Sequence, residues 1–192
     1  MIEALVVVAM AMTIAGMAVV FLTPTMQEFR ANSGASQVVD AFRQAREYAI
    51  TYRRYVQVSF PNYSATGANN QIAITVKNSM TPNAGADVVL TTLTLTGHVS
   101  FQLEKAVPDT PDAFGNTTAV NFAGVDGGPP AGMFFQADGT FVNATGGYIN
   151  GTVFMGDTNI VASARAVTVL GPTGRVRAYH INGNATNWFE TR

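Results

Sequence analysis

One apolar run near the start of the chain limits what it can fold into more than any other feature. Residues 4–22, ALVVVAMAMTIAGMAVVFL, hold one polar side chain, Thr13, and no charge stands between Glu3 and Glu28. A bilayer crossing needs about 20 apolar residues, so the run is just long enough for a retained, membrane-competent helix. A cleavable signal peptide needs a basic segment where Glu3 stands. Ala9-Met10-Ala11 has the small-x-small form of a cleavage site but comes too early to leave an apolar core before it. Glu3 poses the sharper question. An ionised carboxylate in hydrocarbon costs roughly several kcal/mol, so it must stay at the interface or find a partner.

The helix is expected to continue past the apolar run in a different character. Gly16 lowers helix propensity in mid-run, and Pro24 cannot donate to the carbonyl at position 20, so a kink or local melting is expected there. Beyond it, Val38, Phe42, Ala45, Ala49 and Tyr52 recur at helical spacing, with Val39 widening the stripe. Asp40, Arg43, Glu47 and Arg54 take the other face. The first half of the helix needs lipid or other helices around it. The second half needs a sheet.

Composition narrows the chemistry. The 192 residues carry a net charge of −1 and 12% charged residues, so no bulk attraction to nucleic acid or acidic lipid is expected. Mean hydropathy is +0.17, and outside the apolar run the chain is rich in Thr, Asn, Gly and Ala. There is no cysteine, which excludes disulfides, a thiolate nucleophile and Cys-based metal sites. His98 and His180 are too few for a His-rich metal centre. No nucleophile elbow, metal-ligand spacing or phosphate loop is present, and no enzyme, cofactor or metal is expected. The aspartates Asp109, Asp112 and Asp126 share a loop but lack an EF-hand pattern.

After Arg54 the period changes from helix to strand. Tyr55–Phe60 and Gln71–Lys77 alternate, and Val88–Phe101 reads as one long strand or a pair, with Gly97 a bulge or bend. Residues 102–131 carry four prolines, four glycines and three aspartates and read as a long loop. Met133-Phe134-Phe135, the turn pair Asp138-Gly139 and Thr140-Phe141-Val142 form a hairpin. Tyr148–Met155, Ala164–Leu170 and Arg175–Ile181 complete roughly seven antiparallel strands, the count coming from alternation alone. The expected class is α+β: a long helix whose second half packs on an antiparallel head, divided as 1–24, 25–55 and 56–192. Asn-x-Ser/Thr occurs at Asn62, Asn116, Asn143, Asn150 and Asn184, mostly by chance in so Asn/Thr-rich a chain.

Taken together, the pieces resemble the type IV pilin and pseudopilin family. Met1-Ile2-Glu3-Ala4-Leu5-Val6 matches the family's apolar start from its third residue onward, with Glu3 two places earlier than the family's glutamate. Three further blocks resemble the GspH/FimT type: Ala41–Ile50 at the end of the helix, Phe134-Phe135-Gln136-Ala137-Asp138-Gly139-Thr140, and Val167-Thr168-Val169-Leu170-Gly171-Pro172-Thr173-Gly174-Arg175-Val176-Arg177.

The resemblance implies processing by a prepilin peptidase, a methylated N-terminus, residence in the inner membrane, and then polymerisation into a helical filament with other pilins and an assembly platform. It implies that Glu3 pairs with a neighbour's N-terminal ammonium, at Met1 here, and that Gly16 and Pro24 loosen the helix. Three roles stay open. The chain is a subunit of an extracellular type IV pilus, a minor pseudopilin of a periplasmic type II secretion pseudopilus, or a DNA-binding minor pilin. For the third, Arg175 and Arg177 would share one side of a strand, with Arg165, Arg53 and Arg54 as extensions. The plainer reading, which the residues favour, pairs these arginines with nearby acids.

Overall fold

The structure is a computed structural model, and it describes residues 2–63, 69–77, 87–95, 97–104, 107–122, 132–157, 160–181 and 187–191, without the side chains of residues 2, 5 and 19–24. Met1, Asp126 and Asn184 lie outside the described residues.

One helix, α1, runs unbroken over Ile2–Tyr52. The backbone stays helical through Gly16, and also through Pro24, where the sequence leads one to expect a kink or local melting. Its second half buries Ala31, Ala35, Val38, Val39, Ala41, Phe42, Ala45 and Ala49. Those positions repeat every three or four residues and form one stripe. Most are alanines, which let the helix axis approach the sheets closely, while Phe42 fills the centre. Tyr52 leaves the stripe: it is 63% exposed and stacks on Tyr48 at 5.4 Å. The helix ends there because Arg53 takes a left-handed φ of 51° and the Arg54 amide donates back to the Ala49 carbonyl at 3.3 Å. That backward bond satisfies one of the last carbonyls of the helix.

The head contains two antiparallel sheets. The first has the order β3-β2-β1-β6-β7, built from β1 (Tyr55–Ser59), β2 (Gln71–Lys77), β3 (Val88–Thr94), β6 (Met133–Phe135) and β7 (Phe141–Asn143). The second has the order β11-β10-β9-β8-β4, from β4 (Val99–Ser100), β8 (Gly151–Asp157), β9 (Arg165–Leu170), β10 (Arg175–Ile181) and β11 (Trp188–Thr191), with β5 (Val120–Phe122) also pairing on β8. The helix packs across both, touching β1 and β2 on one side and β8, β9 and β10 on the other.

Several sequence expectations change here. Val88–Phe101 divides between the two sheets, and Gly97, at φ 78°, sits in the turn between β3 and β4. The loop expected over 102–131 contains β5. The Asn-rich tail ends in β11, which adds Trp188 to the structure. Eleven strands are described where about seven were expected. The extra ones are short and exist because an existing strand edge offers them hydrogen-bond partners.

The main core centres on four phenylalanines. Phe42 meets Phe135 and Phe141 edge-on at 6.4 and 6.1 Å, and Phe141 lies 5.6 Å from Phe122. A smaller cluster of Val107, Phe154, Ala166, Tyr179, Ile181 and Trp188 lies on the outer face of the second sheet. Residues 107–116 cover that face, pinned by the Trp188 indole N–H donating to the Pro108 carbonyl at 2.9 Å. Covered on both faces, all seven residues of β8 are buried.

Candidate functional site

The first candidate surface is the free half of α1. From Glu3 to Arg30, no residue with a described side chain is buried. Val7, Met12, Ile14, Met17 and Phe29 are each more than 60% exposed. Residues 6–8 alone span most of a helical turn, so no face is polar. From Ile2 to Arg30 this half extends about 43 Å at 1.5 Å per residue. Covering each large apolar side chain yields about 1.5–3 kcal/mol, and the head does not cover them.

Glu3 is exposed and makes no ion pair among the described residues. A methyl group added at Gly16 would meet nothing within 4 Å, so nothing inside this chain requires a glycine there. Among the described residues no helix is long and apolar enough to cross a membrane; positions 5 and 19–22 of the apolar run fall outside the described side chains.

The arginines separate. In the β9–β10 ladder Arg165 stands opposite His180 and Thr168 opposite Arg177. Opposed residues share a face and successive ones alternate. Arg175 and Arg177 therefore share one face, as their spacing suggests, and Arg165 is on the other, towards α1.

Arg165 is 4% exposed. Its Nε donates to Asn32 Oδ1 of α1 at 2.6 Å, and its Nη1 donates to the Ala162 and Ala164 carbonyls at 2.9 and 2.8 Å. Burial pushes its pKa below the ordinary arginine value, and the charge of Glu28 opposes that shift. This arginine ties the helix to the second sheet.

Arg177 has acidic partners. Its Nη1 donates to Asp112 Oδ1 at 2.7 Å, and Glu190 lies 3.8 Å from its Nε. Asp112 Oδ2 also accepts from the Thr168 hydroxyl at 2.6 Å and the Tyr179 hydroxyl at 3.0 Å. The hydrogen bond with Tyr179 and then the Asp112 charge raise the Arg177 pKa, while burial first and the bond to Asp112 next raise that of Tyr179. Asp109 is likewise committed, accepting from the Thr110 and Gly115 amides at 2.7 and 2.9 Å. Asp112 had stood out in the sequence only as a loop aspartate; its place beneath β10 was not readable there.

Arg46 was missed as well. Its Nε donates to the Gly139 carbonyl at 3.2 Å, and it packs against Gly174. Gly174 has φ 59°, and a methyl there would strike the Gly139 carbonyl oxygen. The end of the helix, the Asp138-Gly139 turn and the Gly171–Gly174 turn, which are the three blocks far apart in sequence, thus meet at one side chain.

No protein-family profile matches the chain, and no curated protein matches it. Among solved structures, the chain is similar to the type IV minor pilin FimU of Pseudomonas aeruginosa, with 11% identity and a TM-score of 0.48 over 84% of this chain and 92% of that one. It is also similar to the minor pseudopilin EpsH from the Type 2 Secretion System of Vibrio cholerae, with 13% identity and a TM-score of 0.46 over 79% and 97% of the two chains.

Proposed function

We propose that this chain is a structural subunit of a type IV pilus-like filament that polymerises through the free half of α1. The observation that carries the reading is the set of exposed apolar side chains at residues 6–18, Met26 and Phe29, on a helix whose continuation is buried in its own head. Such a surface is covered only by lipid or by other helices. The head, with its own core and a neutral Thr- and Asn-rich surface, suits a position outside the helix bundle.

In this reading the free half waits in the inner membrane with Glu3 near the interface. On assembly it moves from lipid into a bundle of equivalent helices. Glu3 then pairs with the N-terminal ammonium of a neighbouring subunit, and any other register leaves a charge uncompensated. Gly16 and Pro24 let the bundle bend. The same surfaces serve a pilus or the pseudopilus of a type II secretion system. Mass spectrometry of sheared filaments separates these: a dominant chain is a main pilus subunit, and a trace component is a minor pilin or pseudopilin.

The test of the mechanism is Glu3→Ala. Filament yield should fall by about tenfold or more, because breaking a buried pair costs about 3–5 kcal/mol. Pelleting with electron microscopy reads the outcome, and wild-type yield from the variant would refute the pairing.

A further inference from the structure

The outer face of the second sheet is filled by a piece of the chain itself. Opposed residues set Asn121, Thr152, Thr168 and Arg177 in one polar row across β5, β8, β9 and β10. The next row along is Phe154, Ala166 and Tyr179. Residues 107–116 lie over both rows as a strap, with Val107 on the apolar one and Asp112 on the polar one. The strap is braced within itself, Asn116 Nδ2 donating to the Val107 carbonyl at 3.0 Å and the Ala113 amide to the Thr110 carbonyl at 2.8 Å. The chain leaves and rejoins a single edge of β8, where β4 pairs with Gly156 and Asp157 and β5 with residues 151–153. Lifting the strap therefore breaks no strand pairing.

Its hold on the sheet is concentrated at Asp112. The Arg177 guanidinium and the Thr168 and Tyr179 hydroxyls all donate to this carboxylate, and such a set of donors selects an acceptor-only group. Beside it Pro108 and Pro111 line, with Trp188 and Phe189, a cleft of about 390 Å³. The fit is incomplete. Arg177 reaches Asp112 through Nη1 alone, whereas a guanidinium and a carboxylate pair best through two parallel bonds. Arg177 Nε, the Thr152 hydroxyl in the covered row and the Thr110 hydroxyl in the strap are buried with no hydrogen-bond partner among the described residues, Glu190 standing 3.8 Å from Nε. Buried polar groups left unpaired make the closed strap less stable than a complete fit would be.

We propose that the outer face of β9 and β10 is a receptor for an acidic, proline-flanked segment of a partner protein, and that the strap is its displaceable internal ligand. The strap's own seat states the partner's chemistry: a carboxylate at Arg177, Thr168 and Tyr179, with prolines beside Trp188. The inference goes beyond the filament reading, whose surface is the free half of α1.

Trp188 is the chain's one tryptophan, and its bond to Pro108 makes its emission a reporter of the strap. The probe is a fluorescein-labelled, end-capped peptide of residues 107–116, VPDTPDAFGN, added to the full-length chain in detergent. Asp112→Ala frees the receptor, so fluorescence anisotropy should show that chain binding the peptide about tenfold or more tighter than wild type, the effect of one charged hydrogen-bonded contact. A peptide carrying Asp112→Asn should bind about tenfold more weakly than the acidic one. Adding Arg177→Ala to the Asp112→Ala chain should remove the preference between the two peptides. On the wild type, excess unlabelled acidic peptide should shift Trp188 emission saturably and the Asp112→Asn peptide should not, a readout that holds even where Asp112→Ala fails to fold. Equal binding of the two peptides by the Asp112→Ala chain, or wild-type emission that neither peptide moves, overturns the inference. So does hydrogen exchange in which residues 107–116 open only together with β9 and β10.

Discussion

The two halves of α1 have the same backbone and opposite surroundings. After Ala31 the helix buries a stripe of small residues and Phe42 against two sheets. Before it, larger residues such as Met12 and Phe29 stand in the open. The second half's stripe is mostly alanine and lies close to its own sheets, whereas the first half mixes Ala4, Ala9, Ala11 and Ala15 with Met12, Ile14 and Met17 and exposes them all. The difference shows that helix stability and helix burial are separate questions here. One half is secured by the head, and the described side chains of the other are left uncovered by it.

The largest expected effect breaks the comparison directly. Phe42→Ala should cost the head about 3–5 kcal/mol, read by urea unfolding of the detergent-dispersed chain. Ile14→Ala in the same assay should stay within about 0.5 kcal/mol. A comparable loss from both would mean that the first half is already packed inside the monomer.

A smaller effect locates the boundary between the halves. Asn32→Ala removes the acceptor for Arg165 Nε and should cost about 1–3 kcal/mol. Unchanged unfolding would show that the boundary is held by the apolar stripe alone.

The smallest concerns the head at low pH. Asp138 accepts from the Thr140 hydroxyl at 2.7 Å and its amide at 2.9 Å, and these bonds hold its carboxyl below the ordinary aspartate value. The unfolded chain therefore binds the proton more readily. The contribution is fully present above that value and is lost as pH falls through the folded one. Asp138→Asn should flatten the acid side of the head's stability profile slightly, and an identical profile would remove the assignment.

Much of this molecule was readable locally. The 3.6-residue stripe from Val38 to Ala49 and the Asp138-Gly139 hairpin follow from spacing and turn chemistry, and both occur as read. Tyr52 fits the stripe's period but escapes it, because the left-handed Arg53 ends the helix one residue later. The short strands β5 and β11 have too little alternation to announce themselves. Their backbones are extended because β8 and β10 present open edges to them.

The candidate sites divide in the same way. That Arg175 and Arg177 share a face follows from their spacing of two. That Arg165 does not join them depends on the β9–β10 register, which is fixed by how many residues the 171–174 turn leaves unpaired, Leu170 meeting Arg175, and the sequence places that turn without giving its length.

By itself, the sequence determined the apolar helix with its single early carboxylate, the change to strand periodicity after Arg54, and the absence of cysteine chemistry. Each is a property of neighbours along the chain, set by side-chain polarity and period. The tertiary structure alone decided that Val88–Phe101 serves two sheets, that Asp112 meets Arg177 across 65 residues, and that Arg46 joins two distant turns. Those outcomes depend on which distant surfaces bury one another, and burial is a property of the whole packed chain.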